Sequence, residues 1–154
     1  MTEPSFGGPY VQVACVCHTA LQEVGGGLSV IRITDRVGVI GTTPQMQPQP
    51  LQNLSLVVLL KAGALRQSQR LKIVPVSPTG QNLPPLEMSV LFEGDDHGVA
   101  LAMPLNLIAT EDGLYWFDVL VEEQLVTRIP LRVVYQQAQM TPPFQPLPPS
   151  SSGA

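Results

Sequence analysis

The chain has 154 residues, a net charge of −4 and only eight basic side chains. That length suits one domain with tails, and the sparse, scattered basic residues exclude a phosphate-tracking stripe of the kind nucleic-acid binders need. No run of 18 apolar residues exists, and Met1-Thr2-Glu3-Pro4-Ser5 lacks a basic n-region, so neither a membrane span nor a signal peptide is expected and a cytoplasmic location follows.

Residues 1–8 are rich in Pro, Gly and Ser and are expected to be flexible. From Tyr10 to Cys17 the side chains alternate. Val11, Val13, Cys15 and Cys17 face one way, Gln12, Ala14 and His18 the other, which predicts a half-buried strand. Cys15 and Cys17 share a face, roughly 6.5–7 Å apart at the strand rise, a poor fit for a disulfide. Two reduced core thiols are expected. Gly25-Gly26-Gly27 makes a turn, and Leu28 to Ile40 reads as a second strand with a bulge near Val30-Ile31.

Residues 41–53 form a Pro/Gln connection, read as a polyproline-like crossover between two sheets. Leu54 to Lys61 is apolar on both faces. Leu54, Leu56, Val58 and Leu60 suit the core; Val57 and Leu59 need a cover, from a neighbouring loop or a partner chain. Leu71 to Val76 contains Pro75, which points to an edge or a strand end. Met88, Val90 and Phe92 share a face of a fifth strand, and Glu93 to Gly98 reads as a hairpin turn. Val99, Leu101, Met103, Leu105 and Leu107 alternate next. Tyr115, Phe117, Val119 and Val121 follow, then Leu125, Thr127, Ile129, Leu131, Val133 and Tyr135. Residues 137–154 are Pro-rich with little hydrophobic pattern and are expected to be a disordered tail. Within it, Pro143 to Pro149 offers a docking motif for an aromatic groove, although an inert tail is the favoured reading.

About eight short strands with turns between them predict an all-β, antiparallel sandwich over residues 9–136. Glu111-Asp112-Gly113-Leu114-Tyr115 has the order of the corner that opens strand F of immunoglobulin-like sandwiches, two residues before a core position. That position is Cys in disulfide-bearing relatives and Phe117 here. Inward facing of Tyr115, Phe117 and Val119 predicts a three-residue loop, Glu122-Glu123-Gln124. Phe117 then lies opposite Ile129, Asp118 opposite Arg128 and Trp116 opposite Pro130.

Chemistry-bearing constellations are few. Cys15-x-Cys17-His18 divides its ligands between two faces, whereas zinc needs four that converge. Glu93, Asp95, Asp96 and His97 form an acidic turn without EF-hand spacing. No hydrolase, metalloprotease or P-loop motif occurs, and Asp35 is the one acid whose alternation places it inward, for an ion pair with Arg36 or Arg70. An enzyme is therefore not expected, and neither is a cofactor or a metal. The candidate interaction surface is Trp116 with Leu114, Leu91 and Pro130, joined by Val57 and Leu59.

Leu83-Pro84-Pro85-Leu86, Val90 to Gly94, Gly98-Val99, Pro104-Leu105, Gly113 to Val119 and Thr127 to Val133 together resemble a small bacterial family of unknown function. Val13 to Cys17, Leu28 to Ile33 and Asp35-Arg36-Val37 fit the same pattern, so the resemblance spans roughly residues 10–135. It implies a stand-alone cytoplasmic-type domain and brings no activity or ligand. The expected role is a non-enzymatic protein-interaction or assembly module whose partner is another protein or a second copy, not nucleic acid or membrane. The alternative is a small-molecule or metal-binding sandwich using the 93–97 turn or the 41–53 loop; a hydrolase ranks third.

Overall fold

The computed structural model describes residues 7–139, which lie in eleven strands and their connections. They are β1 (Tyr10–Gln22), β2 (Leu28–Thr34), β3 (Arg36–Gly41), β4 (Gln49–Pro50), β5 (Ser55–Gly63), β6 (Ser68–Val76), β7 (Leu86–Leu91), β8 (Asp95–Pro104), β9 (Ile108–Ala109), β10 (Gly113–Val121) and β11 (Gln124–Gln137). The first sheet has the order β2-β1-β5-β8 and the second β3-β11-β10-β6-β7; β4 and β9 form a two-residue ribbon. The chain changes sheet between β2 and β3, between β3 and β5, between β5 and β6, between β7 and β8, and between β8 and β10. β3 runs parallel to the last strand, β11. This is an immunoglobulin-like sandwich in which the early stretch 28–41 is divided between the two sheets as β2 and β3. Of the expected flexible ends, 1–8 and 137–154, residues 1–6 and 140–154 lie outside the described residues, while β11 runs on to Gln137 and the Ala138 N–H donates to the Gly41 carbonyl at 2.7 Å.

Alternation builds the core. Leu56, Val58 and Leu60 of β5 meet Leu71 and Ile73 of β6, Tyr115, Phe117 and Val119 of β10, and Ile129, Leu131 and Val133 of β11. Each such side chain contributes about 1.5–3 kcal/mol relative to exposure. The corner before β10 forms as the sequence predicts. The Tyr115 hydroxyl donates to the Glu111 carbonyl at 2.8 Å and accepts from the Glu111 N–H at 3.3 Å, so the buried phenol is satisfied. Gly113 has φ +128, and a Cβ there would strike the ring of Pro78.

Phe117 pairs with Ile129, Asp118 with Arg128 and Trp116 with Pro130, as expected. The loop differs. Glu122 and Glu123 alone turn the chain, both with positive φ, and a bulge at Val126 restores the register. A two-residue turn of this kind usually takes Asn-Gly. Here Glu122 is clasped instead: its N–H donates to the Arg70 carbonyl at 3.0 Å, and its carboxylate accepts from the Arg70 N–H at 2.7 Å. The bulge sends Val126 toward the core and leaves Leu125 exposed, the reverse of simple alternation.

The Arg128 Nε donates to Asp118 Oδ1 at 2.6 Å on a partly exposed face. A double-mutant cycle on Asp118→Ala and Arg128→Ala should return a coupling of about 0.2–1 kcal/mol that shrinks with salt. No coupling in urea denaturation at low salt would contradict it.

Three further expectations are corrected. Leu28 to Ile40 is not one bulged strand. Pairing of β2 with β1 keeps a single register through Val30 and Ile31, and the phase change marks the crossing to the second sheet at Asp35. Asp35 is exposed at that crossing, not inward. Glu93 to Gly98 is no hairpin turn, because β7 and β8 belong to different sheets. Pro75 does sit at a strand end: β7 stops pairing at Leu86, opposite Ile73.

The first sheet solves the problem of its double-faced strand internally. A register shift between Val11 and Val13 sends Val11 to the main core and Val13, Cys15 and Cys17 to the outer face. There Cys15, Cys17 and Val57 form a second small cluster, packed against Ala20, Leu28 and Val30 from the far half of the β1–β2 hairpin. Gly26, Gly27 and Leu28 at the hairpin tip share a groove with Leu59, Gly98 and Ala100. The cover is thus the chain's own hairpin, not a partner.

Candidate functional site

The six residues proposed as one surface divide among three places. Leu114, Trp116 and Pro130 share the outer face of the second sheet, Trp116 opposite Pro130 and one residue pair from Leu114 and Arg132. Val57 and Leu59 lie on the other side of the sandwich. Val57 is 0% exposed beneath the β1–β2 hairpin and belongs to no surface. Leu91 is 56% exposed but pairs with Ser68, whereas Trp116 pairs with Val76 at the other end of β6. Eight residues of strand separate them by about 25 Å. Alternation correctly gave Leu91 an outward face but said nothing of its position along the sheet.

What remains around Trp116 is organised. The Arg128 guanidinium lies 4.8 Å from the centroid of the Trp116 ring, and Asp118 holds it there through its Nε. A cation over an indole contributes about 0.5–1 kcal/mol at an exposed site. The indole, flanked by Val76 and Pro130, is half-buried and rests on a fixed floor. Next along the face, Leu114 lies opposite Arg132, and Arg132 lies in register with Arg36 on the edge strand β3. Sequence reasoning missed this arginine pair. No local pattern signals it, because the pairing joins β3 to the last strand of the chain.

The alternative sites are differently built. In the acidic turn, Arg66 Nη2 meets Asp95 Oδ2 at 3.1 Å and its Nη1 donates to the Glu93 carbonyl at 3.2 Å. His97 Nδ1 is 3.8 Å from Asp96. The Asp95 carboxylate is drawn to Arg66 and that of Asp96 lies toward His97, so the acids are not arranged about a common centre. Among the described residues no three His, Cys, Asp or Glu side chains form a metal-ligand group. Cys15 and Cys17 are buried and free while His18 is exposed. Burial pushes both thiols up, and the Cys17 charge adds to the rise at Cys15. The 41–53 connection is a sheet-to-sheet crossover tied down at Leu51, at the β4–β9 ribbon, and by Tyr135 Oη donating to the Thr43 carbonyl at 2.5 Å.

A cleft of about 350 Å³ opens between the edge strands β7 and β8. Leu56, Ile73 and Phe117 form its floor, and Pro85, Met103 and Asn106 part of its walls. Its lining is mostly apolar, with a substantial polar share. Its two rims come from different sheets, so no local pattern announces it.

No helix among the described residues is long and apolar enough to cross a membrane. The model of a family of unknown function, DUF6941, matches residues 12–134, and the chain belongs to that family. The resemblance noted in the sequence, to an uncharacterised family over nearly the same span, agrees with this match. No curated protein matches the chain.

Proposed function

We propose that the chain is a non-enzymatic protein-interaction or assembly module of the bacterial cytoplasm, docking through the outer face of its second sheet. The observation that carries this is Trp116, half-exposed and held under Arg128 by Asp118, between Leu114 and Pro130. Trp and Arg dominate binding hot spots, and a side chain already fixed before association loses little entropy on docking.

The test is affinity purification of the tagged chain from its native host at low salt, with sedimentation velocity for self-association. Trp116→Ala should weaken the association by about 30-fold, the size of a 2 kcal/mol hot spot, while the melting temperature is retained. A monomer that captures nothing above background would overturn the proposal. A small-molecule-binding role draws its support from the β7–β8 cleft, which has the size and mostly apolar lining of ligand pockets, and not from the 93–97 turn or the 41–53 loop. A ligand held there would raise the melting temperature equally in Trp116→Ala.

A further inference from the structure

We infer that the Trp116 face recognises an acidic segment of a partner protein, and that Arg36 and Arg132 hold its carboxylates. This rests on the proposal that the face is an interaction surface, and adds the chemistry of what binds there.

Arg36 and Arg132 are in register on the parallel strands β3 and β11. Their neighbours Val37 and Val133 turn into the core, so both guanidinium groups leave from the outer face. Both are exposed. Like charges placed side by side on a sheet repel, so the pair works against the fold unless an anion joins it. Among the described residues none does: the ion pairs engage Arg66, Lys72, His97 and Arg128, and no carboxylate lies within 4.0 Å of Arg36 or Arg132. The contrast with Arg128 on the same face is direct. Arg128 has Asp118 and the Trp116 ring; the other two arginines have neither.

Composition does not explain the pair, because acidic residues outnumber basic ones twelve to eight. Arginine binds carboxylates with two parallel N–H donors, which favours it where a planar acid must be gripped and oriented. Leu114, opposite Arg132, and Trp116 beside it supply an apolar floor. Gly38, the next outward position of β3, presents no side chain, and the space above it is open. The surface therefore fits an extended segment with two or more Asp or Glu residues next to an apolar one. A nucleic acid fits poorly, since two free arginines on a chain of net charge −4 make no phosphate-tracking stripe.

The test selects binders from a random dodecapeptide phage library on the immobilised full chain in about 50 mM NaCl, where charge contacts are little screened. The best peptide is then labelled and titrated by fluorescence anisotropy. The expected peptides are rich in Asp and Glu. Their affinity should fall by about tenfold or more on Arg36→Glu or Arg132→Glu and decline with added salt. Lys61→Glu, on the first sheet, should leave it unchanged. The melting temperature of Arg36→Gln should not fall, because a like-charge contact is relieved. Peptides without carboxylates that depend on Trp116 but ignore Arg36→Glu would overturn this inference and leave the interaction face standing. Displacement of the peptide by a short DNA duplex, with the same arginine dependence, would also overturn it. No enriched peptide would overturn both.

Discussion

Phe117→Ala is expected to remove about 3–5 kcal/mol of folding stability, the range for truncating a buried aromatic side chain. Phe117 is buried on β10, between Ile129 of β11 and Pro75 of β6 in its own sheet. It also forms the floor of the β7–β8 cleft with Leu56 and Ile73. The proline ring cannot change rotamer to fill the space, and Leu56 is held by its pairing with β1 and β8. Collapse is thus limited, and the lost burial and the new void add. Domains of this size are typically stable by about 5–15 kcal/mol, so the variant loses about a fifth or more of its margin. Urea denaturation followed by two probes should show a lower midpoint with the slope retained. Leu105→Ala, on the cleft wall where solvent already reaches, should cost less. A loss below about 1 kcal/mol for Phe117→Ala would mean that the cleft, and not this ring, sets the spacing of the sheets.

The same stretch shows which parts of the fold are legible in sequence. Tyr115 to Val121 alternates without interruption, and one register alone places Asp118 against Arg128 while keeping both strands' apolar residues inward. The Tyr115 corner is likewise local, a hydroxyl reaching back four residues. Local patterns fail where the chain leaves one sheet for another. Leu28 to Ile40 alternates the same way whether it stays in one sheet or crosses at Asp35, and only the parallel pairing of β3 with β11 decides. The Glu122-Glu123 turn lacks the Asn or Gly that normally marks positive φ, because the clasp to Arg70 comes from a distant strand. For the candidate site, outward facing of Trp116, Leu114 and Pro130 was readable. The separation of Leu91, the burial of Val57 and the meeting of Arg36 with Arg132 were not, since each depends on which distant strand is the neighbour.

Val57 leads to the last expectation. In the folded protein Cys15 and Cys17 should be alkylated slowly, and Val30→Asp should speed the reaction by about 100-fold, the effect of lowering a local opening cost by roughly 3 kcal/mol. Val30, Leu28 and Ala20 of the β1–β2 hairpin pack against both thiols and Val57. A carboxylate in that contact cannot stay dry without a partner, so the hairpin is driven outward while the main core is untouched. Near-UV circular dichroism should be preserved, which separates hairpin opening from unfolding. The thiols report on the same contact through pH. Burial raises both from their ordinary value near 9, so the native state holds these protons more tightly than the unfolded chain. Their contribution is complete below about pH 9 and is lost as the pH rises through the higher native values. The urea midpoint should therefore fall on the alkaline side, and the double variant Cys15→Ala, Cys17→Ala should lose that decline. Alkylation of the native protein as fast as that of the unfolded chain would show that the hairpin does not cover the first sheet. The outer face of β5 would then be open to a partner.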